Sequence, residues 1–173
     1  MTVQPAVQPG VQPADEQRLL VVGDGPVSDA LASLAAVLGW DTVVAGTTAE
    51  VASALPTATA VVVTSHHDEL DAPSIAAALA AGPTYVAAMG SRRTQARRRE
   101  WLVGHGVSEA DLEALHAPAG LDIGADTPPE IALSILAELV ATVRGVTGAG
   151  SLSDRPGPIH PGLAPGEATC PTG

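Results

Sequence analysis

The sequence contains no phenylalanine, and aromatic residues make up only 2% of its 173 positions. Any core must therefore be built from Ala, Val, Leu and Ile, which supply most of a hydrophobic fraction of 46%. A chain of this length suits one domain with a sizeable core. The shortage of aromatic rings argues against nucleic-acid binding by base stacking.

Cysteine is nearly missing as well, since Cys170 is the only one. One cysteine cannot form an internal disulfide, and the N-terminus lacks the basic start and apolar centre of a signal peptide, so we expect a cytoplasmic protein. No apolar run approaches the roughly 20 residues that span a bilayer, which predicts no membrane segment. Cys170 lies among Pro and Gly residues, and we interpret it as an inert exposed thiol.

Lysine is absent, and acidic residues outnumber basic ones 19 to 8, for a formal net charge of −11. This excess repels nucleic-acid phosphates and anionic membranes over most of the surface. All eight basic residues are arginine, and five of them are Arg92, Arg93, Arg97, Arg98 and Arg99. We interpret the last three as a solvated helix face whose charge is partly neutralised by Glu100. The alternative is that these arginines contact the acidic surface of a partner protein or the distal phosphate of an extended ligand.

The two ends of the chain differ from its middle. Residues 1–16 repeat Val-Gln-Pro three times without a helical or strand period, which predicts a disordered leader. From residue 148 to residue 173, Gly and Pro recur with little apolar content, which predicts a disordered Pro/Gly-rich tail. The folded domain is therefore expected to span residues 17–147.

Between the ends, apolar runs alternate with helical patterns. Strands are predicted at residues 18–22, 40–45, 58–64 and 84–88. The helical spacing of Val27, Leu31, Leu34 and Leu38 predicts a first helix. Further helices are expected from Asp71 to Ala81 with Asp71 as its cap, near 108–115, and from Thr127, where Glu130 can complete a capping box. The alternation predicts an α/β fold: a doubly wound, Rossmann-like, mostly parallel sheet with helices on both faces and ligands at the carboxyl ends of the strands.

The strand at 84–88 is followed by a break at Gly90 and a helix that opens at Ser91, with Arg92 and Arg93 in its first turn. The first N–H groups of a helix lack partners and carry partial positive charge, which makes a helix start an anion site. Helices ordinarily prefer acids there, so paired arginines act against the dipole, while their forked donors match phosphate geometry. We therefore interpret residues 90–93 as the seat of an anion.

Three segments resemble one protein family in their order and spacing. They are Met-Gly-Ser-Arg-Arg-Thr at 89–94, Leu-His-Ala-Pro-Ala-Gly-Leu-Asp-Ile-Gly-Ala at 115–125 and Thr-Pro-Pro-Glu-Ile-Ala-Leu-Ser-Ile-Leu-Ala-Glu at 127–138. They are similar to the C-terminal Rossmann domain of the XdhC/CoxI family, and the similarity extends more loosely back to Arg18. Members are accessory proteins of xanthine dehydrogenase, carbon monoxide dehydrogenase and related molybdenum hydroxylases. The resemblance implies binding of molybdenum cofactor (molybdopterin) and help with its sulfuration and delivery to a hydroxylase apoenzyme.

The resemblance also implies a ligand for residues 90–93, because the pterin of that cofactor carries a phosphate. Molybdenum itself would be held by the pterin's dithiolene, so no metal site made of protein ligands is predicted. Family members commonly carry a further N-terminal domain with a cysteine-bearing motif, where this sequence has the Val-Gln-Pro leader. This implies a separately encoded N-terminal half, a homodimer, or only part of the family function.

The segment Gly23-Asp-Gly25-Pro-Val-Ser28 follows the first strand, where a dinucleotide-binding fingerprint would lie. Two glycines allow a tight turn and close approach to a pyrophosphate, but Asp24 would bring a carboxylate near the phosphates and Ser28 replaces the third glycine. The second strand ends in Ala45-Gly46, without the acid that would hold a ribose. NAD(P) is therefore a possible but disfavoured cofactor, and a structural turn is the preferred interpretation of the two glycines.

Two polar loops supply further candidates. His66 and His67 follow the third strand; we predict that they line the crevice beside residues 90–93 and hydrogen-bond a ligand, with a metal site and a solvated loop as alternatives. His116 and Asp122 lie in a loop dense in turn residues. There they either border the pocket or belong to a rigid connector.

The sequence offers little support for an independent enzyme. No nucleophile–base pair or carboxylate pair has a recognisable spacing, so no catalytic residue is predicted. Two rival functions stay open beside the accessory role. One is an NAD(P)-dependent oxidoreductase, and the other is a docking or assembly module that holds no cofactor.

Overall fold

The computed structural model describes residues 17–154, so the expected leader at 1–16 and residues 155–173 of the expected tail lie outside the described part of the chain. The strands are β1 (Arg18–Val22), β2 (Asp41–Ala45), β3 (Ala60–Val63), β4 (Tyr85–Ala88) and β5 (Leu115–His116). The helices are α1 (Pro26–Val37), α2 (Thr48–Ala54), α3 (Asp68–Ala81), α4 (Arg92–Gly104), α5 (Glu109–Glu113) and α6 (Pro128–Val143). Short 3₁₀ turns lie at Leu55–Thr57 and Leu152–Asp154.

The five strands pair in parallel, in the order β2-β1-β3-β4-β5. This confirms the predicted doubly wound α/β fold, because it is one of the two common strand orders of that class. From β1 the chain first adds β2 on one side of the sheet and then crosses to add β3, β4 and β5 on the other side, so the strand order reverses between β1 and β3. In such folds ligands bind at the carboxyl edge where this reversal opens a crevice.

The sheet is covered on both faces, and each face has its own cluster of buried side chains. On one face Leu19, Val21 and Val62 pack with α1 and α6. On the other face Leu20 and Val22 pack with residues of α2, α3, α4 and α5. Because neighbouring residues of a strand point to opposite faces, a strand buried on both sides is apolar throughout, which explains why β1 and β3 are continuous apolar runs.

The predicted start of α3 was wrong. The helix begins at Asp68, three residues before the expected cap Asp71, and His67 is its N-cap. Pro73 therefore lies inside the helix, where it removes one backbone hydrogen bond. Asp71 is a buried side chain, only 1% exposed, and its partner is Arg98 of α4 rather than the helix start.

Two short elements, α2 and β5, were not predicted from the sequence. In α2, Thr47 Oγ1 accepts a hydrogen bond from the Glu50 N–H (3.3 Å) and the Glu50 carboxylate accepts one from the Thr47 N–H (3.0 Å), which forms a capping box. β5 has two residues and follows the short helix α5, which ends at Glu113. Elements this short leave no periodic pattern in the sequence.

The start of α6 was predicted correctly. Thr127 is its N-cap and Pro128 its first residue. The Glu130 carboxylate accepts hydrogen bonds from the backbone N–H groups of Thr127 (2.8 Å) and Asp126 (3.0 Å), and these bonds lower the pKa of Glu130. None of the helices within residues 17–154 is long and apolar enough to cross a membrane.

Candidate functional site

Residues 90–93 connect the carboxyl end of β4 to α4. Gly90 has a φ of 131°, a conformation that residues with side chains rarely adopt. A Cβ atom there would lie 3.1 Å from Thr94 Cγ2 and 3.3 Å from Arg98 Nη1, so the space beside the backbone is also limited. Ser91 is the N-cap of α4, and its hydroxyl accepts from the Thr94 N–H at 3.2 Å. The helix therefore begins where the sequence predicts it.

Arg92 and Arg93 are the first two residues of α4. Both side chains are exposed, and neither forms a hydrogen bond or an ion pair with any residue between 17 and 154. The first turn of this helix contains no acidic residue. Two cations thus stand at the positive end of a helix dipole without a neutralising group from the described residues, an arrangement that suits an anion from outside.

The other three arginines of α4 have partners, which corrects the interpretation of residues 97–99 as one solvated face. Arg97 Nη2 lies 2.7 Å from Asp68 Oδ1 at the start of α3, and Arg99 forms an ion pair with Glu109 of α5. Both of these pairs are exposed, whereas Arg98 points inward and is only 3% exposed. The basic helix therefore has a free pair at its start and three engaged arginines after it.

Arg98 ties together two loops at the carboxyl edge of the sheet. Its guanidinium forms an ion pair with Asp71 and donates to the Met89 carbonyl and, at 3.2 Å, to the Ser65 carbonyl. Ser65 follows β3 and Met89 follows β4, so one side chain fixes the loops that follow these two neighbouring strands. This role was not predicted. The sequence carries one signal for it, because Asp71 shares a helical face with the buried Ile75, and an acid on such a face needs a buried partner.

The turn after β1 is closely packed against the loop after β3. Gly23 has a φ of 113°, and a Cβ there would lie 2.6 Å from the backbone nitrogen of Ser65. Gly25 has a φ of 105° and is the N-cap of α1. Ser28 is buried, and its hydroxyl lies 2.8 Å from the hydroxyl of Thr64. The positive φ angles of both glycines, and the close contact of Gly23 with Ser65, account for glycine at these positions. This supports the interpretation that the two glycines form a structural turn.

A carboxylate does stand at the end of β2, although Ala45 and Gly46 offer none. Glu50 reaches back from α2, and its Oε2 accepts from the N–H groups of Gly46 (2.8 Å) and Thr47 (3.0 Å). These hydrogen bonds hold the pKa of Glu50 below its usual value. Because this oxygen caps α2, Glu50 is a poor substitute for the free acid that holds a ribose in a dinucleotide site.

A cavity of about 510 Å³ opens between the loops that follow β2 and β3, and we call it the crevice cavity. Its lining residues are Gly46, Thr47, Thr48, His66, His67, Asp68, Glu69 and Leu70. Both histidines are exposed, and the backbone N–H of His67 donates to Ser65 Oγ at 3.1 Å. Residues 90–93 do not line this cavity, so a ligand shared between them and the histidines stays a prediction. Between residues 17 and 154 no group of three or more His, Cys, Asp or Glu side chains is placed to hold a metal ion.

His116 belongs to a hydrogen-bond network around Glu138 of α6. Its Nδ1 lies 3.1 Å from Glu138 Oε1, while Glu138 Oε2 accepts from the Tyr85 hydroxyl (2.6 Å) and the Gly120 N–H (2.8 Å). Burial alone would raise the pKa of Glu138, but the hydrogen bonds from His116, Tyr85 and Gly120 outweigh it and lower that pKa. Burial and the neighbouring Glu138 carboxylate raise the pKa of Tyr85. At neutral pH Glu138 is therefore ionised and Tyr85 is a hydrogen-bond donor.

This network lies on the face of the sheet that α6 covers. The ring centroids of Tyr85 and His116 are 4.7 Å apart, and Tyr85 packs with residues of α1 and α6, whereas Leu102 of α4 belongs to the cluster on the opposite face. Asp122 is exposed. Within the described part of the chain no hydrogen bond or ion pair joins His116 or Asp122 to residues 90–93, so their part in ligand binding stays a prediction.

The strand order and the crevice at its reversal define a doubly wound α/β domain, and α4 begins at its carboxyl edge with two arginines that have no acidic partner among residues 17–154. The family model described as XdhC Rossmann domain matches residues 19–139. The chain belongs to this family, which confirms the resemblance that the motifs carry.

Several known proteins are similar to this chain. It is 38% identical over 128 residues to the molybdenum cofactor insertion chaperone PaoD of Escherichia coli (strain K12), covering 73% of this chain and 40% of PaoD. It is 28% identical over 155 residues to the uncharacterized protein YqeB of the same organism, covering 76% of this chain and 28% of YqeB. A solved xanthine dehydrogenase structure from Bacillus halodurans matches with a TM-score of 0.61 and 25% identity, covering 79% of this chain and 45% of that one. The chain thus spans less than half of the length of each relative.

Proposed function

We propose that this chain is an accessory factor that binds molybdenum cofactor and assists its maturation or its insertion into a xanthine dehydrogenase or CO dehydrogenase type of molybdenum hydroxylase. Membership of the XdhC family and similarity to PaoD, which is named for cofactor insertion, support the proposal. The observation that carries it is the arrangement of residues 90–93, where two exposed arginines at a helix start have no acidic partner among the described residues.

The phosphate on the cofactor's pterin fits these residues chemically. The backbone N–H groups of the first helical turn lack intrahelical partners, and the guanidinium groups of Arg92 and Arg93 can each bind two phosphate oxygens. The first turn of α4 contains no acidic residue, and a bound phosphate would supply negative charge there. It would neutralise the two arginines, whose positive charge is unfavourable at the positive end of the helix dipole. The bound cofactor would supply the hydroxylase with its molybdenum chemistry, and the role of this chain is to hold the phosphate end.

A molybdenum hydroxylase apoenzyme is the partner that the proposal requires. Because the chain spans 40% of PaoD and 45% of the Bacillus halodurans chain, the proposal concerns the role of this domain. A separately encoded N-terminal-half protein and a second copy of the chain are proposed as further partners. The same proposal places the protein in the cytoplasm, which suits a sequence with one cysteine.

Anaerobic equilibrium binding tests this proposal. Molybdopterin released from a hydroxylase should bind the wild-type protein, and Arg92→Ala or Arg93→Ala should each weaken that binding about ten- to a hundredfold. The factor follows from the roughly 1.5–3 kcal/mol that a charge-assisted hydrogen bond contributes. Bound and free pterin can be separated by ultrafiltration and measured by fluorescence after oxidation.

Arg99→Ala is the matched control for this experiment. Arg99 is an exposed arginine of the same helix that is already paired with Glu109, so its loss should change affinity little. Arg98 would be a poor control, because it is buried and holds two loops. Equal losses at Arg92, Arg93 and Arg99 would indicate diffuse electrostatics instead of a phosphate seat. Absence of binding by the wild type would favour a docking or assembly module that holds no cofactor.

An NAD(P)-binding oxidoreductase is the second candidate, and the crevice cavity between the β2 and β3 loops favours it. The exposed Asp24 in the glycine turn and the engaged Glu50 carboxylate oppose it. We expect NAD(P) to bind no tighter than about millimolar, because key contacts of a dinucleotide site are missing. Micromolar affinity in an NADH fluorescence titration, together with hydride transfer, would reverse the order of the two candidates.

A further inference from the structure

A second cavity lies between α3 and α4, beside the arginine-rich helix. It measures about 330 Å³, and its lining includes Glu69, Ala72 and Pro73 of α3 and Arg97 and Trp101 of α4. We call it the α3–α4 cavity. Its volume is at the lower end of the range of small-molecule sites, and its mostly apolar wall with a few charged groups is typical of them.

We propose that the α3–α4 cavity binds the ring end of the ligand whose phosphate residues 90–93 bind, and that this ring is a planar heterocycle with an amino-pyrimidinone edge, as in a pterin. This inference rests on the proposed function and extends the same site. Arg93, Arg97 and Trp101 are spaced four residues apart on α4, so they share one helical face. At 1.5 Å per residue, Arg97 lies about 6 Å and Trp101 about 12 Å along the helix from Arg93. A ligand held at Arg93 can therefore extend along this face into the cavity.

Trp101 lines the α3–α4 cavity and is half-buried, with part of its side chain packed against the core cluster of that face of the sheet. One side of its indole is covered by the His105 ring, with centroids 3.6 Å apart and planes 12° from parallel. Trp101 lines the cavity and His105 does not, so His105 fixes the indole while another part of it faces the cavity. Aromatic side chains at the wall of a site bind planar heterocycles by stacking, and this stacking depends little on the substituents of the heterocycle.

The carboxylates at the start of α3 indicate which heterocycle fits. Asp68 is neutralised by Arg97, 2.7 Å away. Glu69 is exposed, and its carboxylate forms no hydrogen bond or ion pair within residues 17–154. Its two oxygens can accept parallel hydrogen bonds, which suits the adjacent amino and ring N–H donors of an amino-pyrimidinone. A ligand of this kind carries a phosphate at one end, which suits Arg92 and Arg93, and an edge of N–H donors at the other end, which suits Glu69.

Tryptophan fluorescence tests the inference in a Trp40→Phe background, because Trp40 is the other tryptophan and is buried in the core. Neopterin monophosphate should quench the fluorescence of Trp101. Trp101→Leu should weaken its binding about five- to a hundredfold, the usual loss when a stacking ring is removed. Trp101→Phe should keep most of the affinity, and inorganic phosphate should bind wild type and Trp101→Leu equally well.

Glu69→Gln tests the proposed edge contact. It should weaken binding of the pterin phosphate but not of the corresponding lumazine phosphate, in which a carbonyl replaces the amino group. Glu100→Gln is the matched control, because Glu100 is an exposed acid of α4 that does not line the cavity. Equal losses for the two ligands in Glu69→Gln would contradict recognition of the amino group.

The outcomes separate this inference from the proposed function. If Trp101→Leu keeps full affinity for the pterin phosphate while Arg93→Ala loses it, the ring site is wrong and the phosphate seat stands. If Trp101→Leu weakens inorganic phosphate as much as pterin phosphate, the ring contact is likewise refuted. If wild type binds neither neopterin monophosphate nor inorganic phosphate, the phosphate seat itself is contradicted.

Discussion

Arg98 and Asp71 form a buried ion pair at the carboxyl edge, with 3% and 1% of their side chains exposed. Arg98 Nε and Asp71 Oδ1 have no hydrogen-bond partner among residues 17–154. Such a pair adds little net stability compared with apolar residues of equal volume, because desolvation of both charges is costly. Its contribution is geometric, since Arg98 also binds the carbonyls of Ser65 and Met89.

Removing one member of this pair should be far worse than removing both. Arg98→Leu should lower the free energy of unfolding by about 3–5 kcal/mol, because Asp71 would remain buried and unpaired. The double variant Arg98→Leu/Asp71→Leu should recover most of that loss. Urea unfolding followed by circular dichroism measures both values. A double variant as unstable as the single one would show that the loss comes from the carbonyl contacts and not from the unpaired charge.

At the scale of elements, Glu138 joins α6 to β4, to β5 and to the loop after β5 through Tyr85, His116 and Gly120. The pKa of Glu138 is lower in the folded protein than its ordinary value of 4.5. Its stabilising contribution is therefore complete above about pH 4.5 and is lost as the pH falls through the lowered pKa. Glu138 faces His116 and Tyr85, so protonation of the carboxylate weakens both contacts.

Glu138→Gln should reduce the free energy of unfolding by about 1–3 kcal/mol at pH 7, because it removes the charged acceptor of three hydrogen bonds. The difference from wild type should shrink when urea unfolding is repeated near pH 3.5. Glu113→Gln serves as control, since Glu113 is an exposed acid of α5, and it should change little at either pH. A difference that stays constant between the two pH values would contradict an ionised Glu138 as the link.

Helix starts could be predicted where the signal lies within a few residues. Thr127 and Glu130 are three residues apart, and the break at Gly90 and the cap at Ser91 are adjacent, so both starts are evident from the sequence. The start of α3 was missed because Asp71 resembles a cap, whereas its carboxylate binds Arg98, 27 positions further along the chain. Pairing across elements leaves no local pattern.

The candidate site was predictable to a similar extent. The sequence places Arg92 and Arg93 in the first turn of a helix, where positive charge opposes the helix dipole, and in the structure both side chains are exposed there. The link between His116 and Glu138 depends on how α6 folds back onto β5, and the sequence gives no measure of that geometry. The α3–α4 cavity likewise depends on the packing of two helices.

At the scale of the whole molecule, the members of the two core clusters among the described residues 17–154 lie between positions 19 and 143. Together with the lack of an apolar pattern at the chain ends, this predicts that removal of residues 1–16 and 151–173 leaves the melting temperature nearly unchanged. Scanning calorimetry of the full and shortened chains measures this. A decrease of many degrees would contradict the domain limits of about 17–147.

Removing the phosphate from the ligand tests most directly whether Arg92 and Arg93 bind it. Molybdopterin and its dephosphorylated form should be titrated anaerobically against wild type and the Arg92→Ala/Arg93→Ala double variant. We predict that loss of the phosphate weakens binding to wild type at least about tenfold and binding to the variant only slightly, because the variant no longer holds that group. A loss by the same factor in both proteins would show that the phosphate binds elsewhere and would contradict the proposed site.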